Sequence, residues 1–133
     1  MTTTKHRKKT IHDLAIANLR QHCPSLKTTG FKKSVLAFFS AHAERLNNED
    51  IENMKSRITF IPDLYHIDHD CDVISIYEVE DSSALTPNKL NNIMLFWWEC
   101  DAYGVDVKLF VLDRYGANKT EIDIFGFYWA MME

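Results

Sequence analysis

ITFIPDLYHIDHDCDVISIYEVE, residues 58–80, is the stretch from which the fold is read. Ile58, Phe60 and their neighbours predict a strand, and a hairpin follows with an acidic turn at Asp68 to Asp72. Pro62-Asp63 stands at the mouth of the first hairpin segment and Glu78-Val79-Glu80 at the end of the second. Side chains alternate faces along a strand, so Glu78 and Glu80 are expected on one side, and antiparallel pairing folds Asp63 back towards them. Three carboxylates crowded together raise one another's pKa and repel. A hard divalent cation with oxygen ligands, Mg²⁺ or Mn²⁺, is the simplest remedy, whereas solvated acids at a strand end are the plain alternative. The tip of the hairpin offers His66, Asp68, His69, Asp70, Cys71 and Asp72, residue types that bind metals, but in no recognised ligand spacing. A polar surface turn accounts for them.

Outward from this stretch, composition sets the frame. A chain of 133 residues with 46% apolar and 26% charged residues suits one globular domain with a single core. Apolar runs such as Ile93 to Trp98 and Leu109 to Leu112 are too short to span a bilayer, and no apolar segment follows the basic N-terminus. A soluble, cytoplasmic protein without a membrane partner is expected. Cys23, Cys71 and Cys100 are odd in number and lack paired spacing, which argues for reduced thiols rather than disulfides or a cysteine zinc site.

The net charge of −4 conceals an asymmetry. Residues 1–33 hold eight bases (Lys5, Arg7, Lys8, Lys9, Arg20, Lys27, Lys32, Lys33) against Asp13 alone, a balance of +7. The remaining hundred residues hold seven bases and eighteen acids, a balance of −11. A basic arm on an acidic body suits a protein that meets a polyanion with one end and holds cations with the other; a solubilising tail is the plain alternative.

Thr10 is placed to cap a helix over Ile11, Leu14, Ala15 and Leu19 that Pro24 ends. From Phe31 to Leu46 the apolar residues recur at helical spacing, and this helix should pack on the sheet. Glu44 lies on it near the apolar stripe, within reach of the acidic cluster or simply solvated. Asn47-Asn48 breaks the pattern, and Ile51 to Lys55 adds a helical turn. Thr86-Pro87 is a helix cap with proline at the first helical position; Leu90, Ile93, Met94, Trp97 and Trp98 then recur at three and four, until Gly104 stops the helix. This spacing predicts core packing; a base-stacking role for the two tryptophans is disfavoured because neighbours on a helix diverge by about 100°. Val105 to Leu112 reads as a buried strand, so a strand–helix–strand crossover with parallel pairing is expected. Ile122 to Met132 is an apolar, aromatic tail that suits an edge strand or a docked helix.

The order helix, strand, hairpin, helix, strand, with Pro62-Asp63, fourteen intervening residues and Glu78-Val79-Glu80, resembles the PD-(D/E)xK nuclease superfamily of restriction endonucleases, junction resolvases and phage recombination nucleases. The resemblance spans about residues 31–112 and departs from the family pattern in carrying Glu80 where the motif lysine stands. It implies an α/β fold with a restriction-endonuclease-like αβββαβ core, a central mixed sheet flanked by helices. Residues 31–133 would form that core, and residues 1–30 a basic arm with a short helix. It further implies a Mg²⁺-dependent deoxyribonuclease, with Mn²⁺ able to substitute and no organic cofactor.

In that reading Asp63, one oxygen of Glu78 and the backbone carbonyl of Val79 hold the cation. Glu80 orients or deprotonates the attacking water or helps hold a second ion. Lys89, in the first turn of the helix after the hairpin, is the candidate for the displaced lysine. DNA would be gripped without sequence specificity by Lys5, Arg7, Lys8, Lys9, Arg20, Lys32 and Lys33, with a log–log salt slope of roughly −4 to −5 if about five cations meet phosphates. A homodimer through Ile122 to Met132 would let so small a domain engage both strands. The competing expectation is a nuclease-fold protein that has lost turnover and binds nucleic acid or protein as a phage or mobile-element accessory.

Overall fold

The computed structural model describes residues 11–41, 46–79, 85–113 and 118–132. Their elements run α1 (Ile11–His22), α2 (Phe31–Ser40), α3 (Asn48–Arg57), β1 (Leu64–Asp68), β2 (Val73–Val79), α4 (Pro87–Asp101), β3 (Asp106–Leu112), β4 (Lys119–Ile122) and α5 (Ile124–Met132). The strands form one mixed sheet in the order β1-β2-β3-β4. β1 and β2 are an antiparallel hairpin, β2 and β3 run parallel, and β4 returns antiparallel to β3. The α/β class and the parallel crossover through α4 are therefore as expected.

β1, β2 and β3 each contribute to two cores because their side chains alternate. On one face Ile74, Ile76, Val107 and Leu109 pack with Phe31, Val35, Phe38, Phe39 from α2, Met54 from α3, and Ile93, Phe96, Trp97 from α4. Phe31 anchors this core, its ring meeting Phe60, Tyr65 and Phe96 with centroids 5.1–5.7 Å apart in tilted and edge-on arrangements. On the other face Leu64, Val79 and Leu112 close against Ala15 of α1 and Leu26.

The helices start and stop for local reasons. Asn47 and Asp50 form a reciprocal capping box at α3, which explains why this mostly polar segment makes a full helix instead of the single expected turn. Thr86 accepts from the Lys89 N–H at 3.1 Å and Pro87 fills the first turn of α4. Gly104, at φ 76°, takes the left-handed conformation beyond the helix end that other residues avoid. α2 ends at Ser40, short of the expected Leu46.

The strand expected over Ile58 and Phe60 is not formed. Ile58 caps the C-terminus of α3 with φ −91° and ψ 82°. Phe60 turns into the ring cluster, and Pro62 has no N–H to give a ladder. The position such a strand would take beside β1 is also occupied. Lys27 pairs there with Tyr65, the Lys27 N–H donating to the Tyr65 carbonyl at 2.9 Å and the Tyr65 N–H to the Lys27 carbonyl at 3.0 Å. The strands therefore run ββαββ among the described residues, with β4 an addition that the polar KTEI stretch did not announce. Of the two alternatives for the tail from Ile122 to Met132, the helix is the one formed, as α5, while Ile122 alone ends β4. No helix among the described residues is long and apolar enough to cross a membrane.

Candidate active site

The last Cα pair of the hairpin is Leu64 with Tyr77, so Asp63 and Glu78 stand one step further along the same register. Alternation turns Glu78 to the face of Ile74 and Ile76, under α4. The two carboxylates complete the mouth of the hairpin in place of ordinary ladder bonds. The Asp63 N–H donates to Glu78 Oε2 at 2.8 Å, and the Val79 N–H donates to Asp63 Oδ2 at 2.8 Å. A carboxylate has about four lone-pair sites, so each retains accepting capacity after these bonds.

Glu78 is buried to 2% exposure, the lone charged residue in the described core, and the ammonium of Lys89 sits on its Oε1. Lys89 reaches it because Thr86 and Pro87 fix the first turn of α4 over the end of β2. Burial pushes the Glu78 carboxyl up from the usual carboxylate range to about 7; Lys89 opposes this shift and the charge of Asp63 adds to it. A buried acid held near neutrality by desolvation, with a cation and a second carboxylate beside it, is suited to proton transfer or to binding a cation at physiological pH.

Asp63, Glu78, the backbone of Val79, and Lys89 are thus brought together. Glu80, Glu44, Lys5, Arg7, Lys8 and Lys9 lie outside the described residues. Arg20, on α1, donates from Nε to the Leu26 carbonyl at 3.1 Å, while Lys32 and Lys33 are exposed on the first turn of α2. Lys27, counted in the basic first quarter of the chain but not singled out from sequence, is held beside β1 by a long-range bridge that leaves no local signature.

No group of three or more His, Cys, Asp or Glu side chains able to hold a metal ion occurs among the described residues. Mg²⁺ commonly takes one or two carboxylates and keeps several waters, and Asp63 with Glu78 meets that smaller requirement. At the hairpin tip, Asp68 Oδ1 instead accepts from the N–H groups of Asp70 and Cys71 at 3.0 and 3.1 Å, which makes a turn and lowers the Asp68 pKa. The ring of His69 packs edge-on against Phe38. No family model matches the chain, and neither a curated protein nor a solved structure is significantly similar to it.

Proposed function

We propose that the chain is a divalent-metal-dependent nuclease that hydrolyses phosphodiester bonds of DNA, with a site of the PD-(D/E)xK kind in a compact α/β domain. The observation that carries this reading is the meeting of Asp63, Glu78 and Lys89 at the mouth of the β1–β2 hairpin, two carboxylates and one ammonium contributed by the segment before β1, by β2 and by α4. Asp63 and Glu78 supply the oxygen donors, with the Val79 carbonyl as a third candidate. A divalent cation held there supplies Lewis acidity towards the phosphoryl group.

Lys89 has two positions of value. Without substrate it neutralises Glu78; with a phosphate at the site it is on a flexible stem within reach of the charge that builds on the phosphoryl oxygens. Its place beside Glu78 favours Lys89 as the replacement for the missing motif lysine, and Glu80 remains for orienting or deprotonating the water. Glu78 bears on metal affinity through its raised pKa, because the donor form dominates only above about pH 7.

One observation favours the second reading, a binding module without turnover. Both oxygens of Glu78 are already engaged, one by a backbone N–H and one by Lys89, as in a structural ion pair. Supercoiled plasmid incubated with the purified chain in Mg²⁺, Mn²⁺ or EDTA separates the two. Metal-dependent nicking that disappears in Asp63→Asn and in Glu78→Gln, with the fold retained by circular dichroism, supports the nuclease. Nucleolysis indifferent to both substitutions, or absent in every metal, sinks it.

A further inference from the structure

Between Asp13 and Glu44 the chain has no acidic residue, and Arg20, Lys27, Lys32 and Lys33 fall in that interval. The fold carries this stretch to the outer edge of β1, the strand that Asp63 opens. Lys27 is fixed there by its two backbone hydrogen bonds with Tyr65. Tyr65 is two residues from Asp63, about 7 Å along an extended chain.

The same tyrosine ties down the start of α2. Its hydroxyl donates to the Thr29 carbonyl at 2.6 Å and, with its one hydrogen so used, accepts from Ser34 Oγ at 2.9 Å. The first turn of α2, with Lys32 and Lys33, is therefore registered to the strand that leads to the site.

The side chains of Lys27, Lys32 and Lys33 are exposed, and no ion pair among the described residues engages them. The setting of Lys32 and Lys33 is electrostatically unfavourable in the free protein. α2 has neither an acidic residue in its first turn nor a side-chain cap, so two lysines stand at the positive end of its dipole. A polyanion lying across this edge relieves that repulsion, and its phosphates find cations on backbone already held in place.

Resting on the nuclease reading, we propose that Lys27, Lys32 and Lys33 form a track for the sugar–phosphate backbone of the nucleic acid along the outer edge of β1. Lys27 holds a phosphate close to the scissile one, and the α2 lysines hold the strand as it leaves the site. These are positioning residues, since none reaches the reacting atoms.

The test is fluorescence anisotropy of a labelled DNA duplex with the full chain in EDTA, titrated with salt. Each phosphate contact contributes roughly −0.9 to the log–log slope, so Lys27→Gln should flatten it by about 0.9 and Lys32→Gln/Lys33→Gln by about 1.8. Lys55→Gln, an equal charge change on α3, should leave the slope unaltered. Thermal melting guards against misfolding: the double variant should melt no lower than wild type, because it removes cations from the positive end of a helix. In Mg²⁺, Lys27→Gln should raise KM and leave kcat within about twofold, as expected when ground-state and transition-state binding are lost equally.

Slopes unchanged in both variants while the wild type binds would overturn the track, and metal-dependent cutting by that wild type would leave the nuclease reading standing. Flattened slopes with no cutting by wild type would uphold the track and end the nuclease reading. A wild type that binds no duplex ends the track, and the plasmid assay in Mg²⁺ and Mn²⁺ then decides the nuclease reading by itself.

Discussion

The ammonium of Lys89 rests on Oε1 of Glu78, across the gap between the first turn of α4 and the end of β2. Glu78 is almost wholly buried, so the pair is shielded from water on the carboxylate side and open on the lysine side. Removing either partner leaves a different defect, and several measurements follow from that difference.

The pH dependence has a definite sign. Burial raises the Glu78 carboxyl from 4.5 to about 7, so the folded chain binds this proton more tightly than the unfolded one. The associated stability is fully present below the unfolded value and is lost as the pH rises through the folded one. At about 1.36 kcal/mol per unit this is at most about 3 kcal/mol between about pH 4.5 and 7. Urea unfolding of wild type and Glu78→Gln across that window should show the excess slope in wild type alone. Parallel profiles would remove the raised pKa.

Lys89→Ala removes the positive charge that opposes the shift, so the Glu78 pKa should rise further and the pH window over which stability is lost should extend to higher pH. If Lys89 also serves the phosphoryl charge, Lys89→Ala should cost about 10²-fold or more in kcat, and Glu80→Gln less. The opposite ranking in single-turnover cleavage would assign the missing role to Glu80.

Thr86→Ala deletes the oxygen that accepts the Lys89 N–H and should cost about 1 kcal/mol of stability. The fraying it causes falls on the turn that aims Lys89, so activity should fall more than the global loss requires. Hydrogen exchange along α4 and cleavage rates measured together check this; exchange confined to wild-type levels would refute it.

Tyr65→Phe removes a hydroxyl that joins Thr29 and Ser34 to β1. The expected cost is about 1–2 kcal/mol by denaturant titration, since a partly buried carbonyl and a serine each lose a partner. Phe96→Ala, which vacates the space against Phe31 and Phe60, should cost about 3–5 kcal/mol, a large part of the stability of so small a domain.

The hairpin and its two acids were legible because alternation and the acidic turn set one register between Asp63 and Glu78. The cap and stop of α4 were legible from Thr86-Pro87 and Gly104, whose conformational demands are local. Ile58 and Phe60 misled because alternating apolar residues look alike whether they enter a ladder or wedge singly beneath helices. The decisive fact, Lys27 already occupying the edge of β1, is a contact between distant residues. α3 was underestimated because its apolar content is low, although Asn47 and Asp50 carried the capping signal. The approach of Lys89 to Glu78 was suggested by resemblance alone; periodicity gives the face of a helix but not the residue it overhangs.

The rims of the sheet also bear on how copies of the chain meet. One outer rim is occupied at Tyr65 by the chain's own Lys27, and the other is a strand of four residues with two charged side chains, Lys119 and Glu121. Neither gives a neighbouring molecule a long unpaired backbone on which to extend a ribbon, so fibril-like growth is discouraged at both margins.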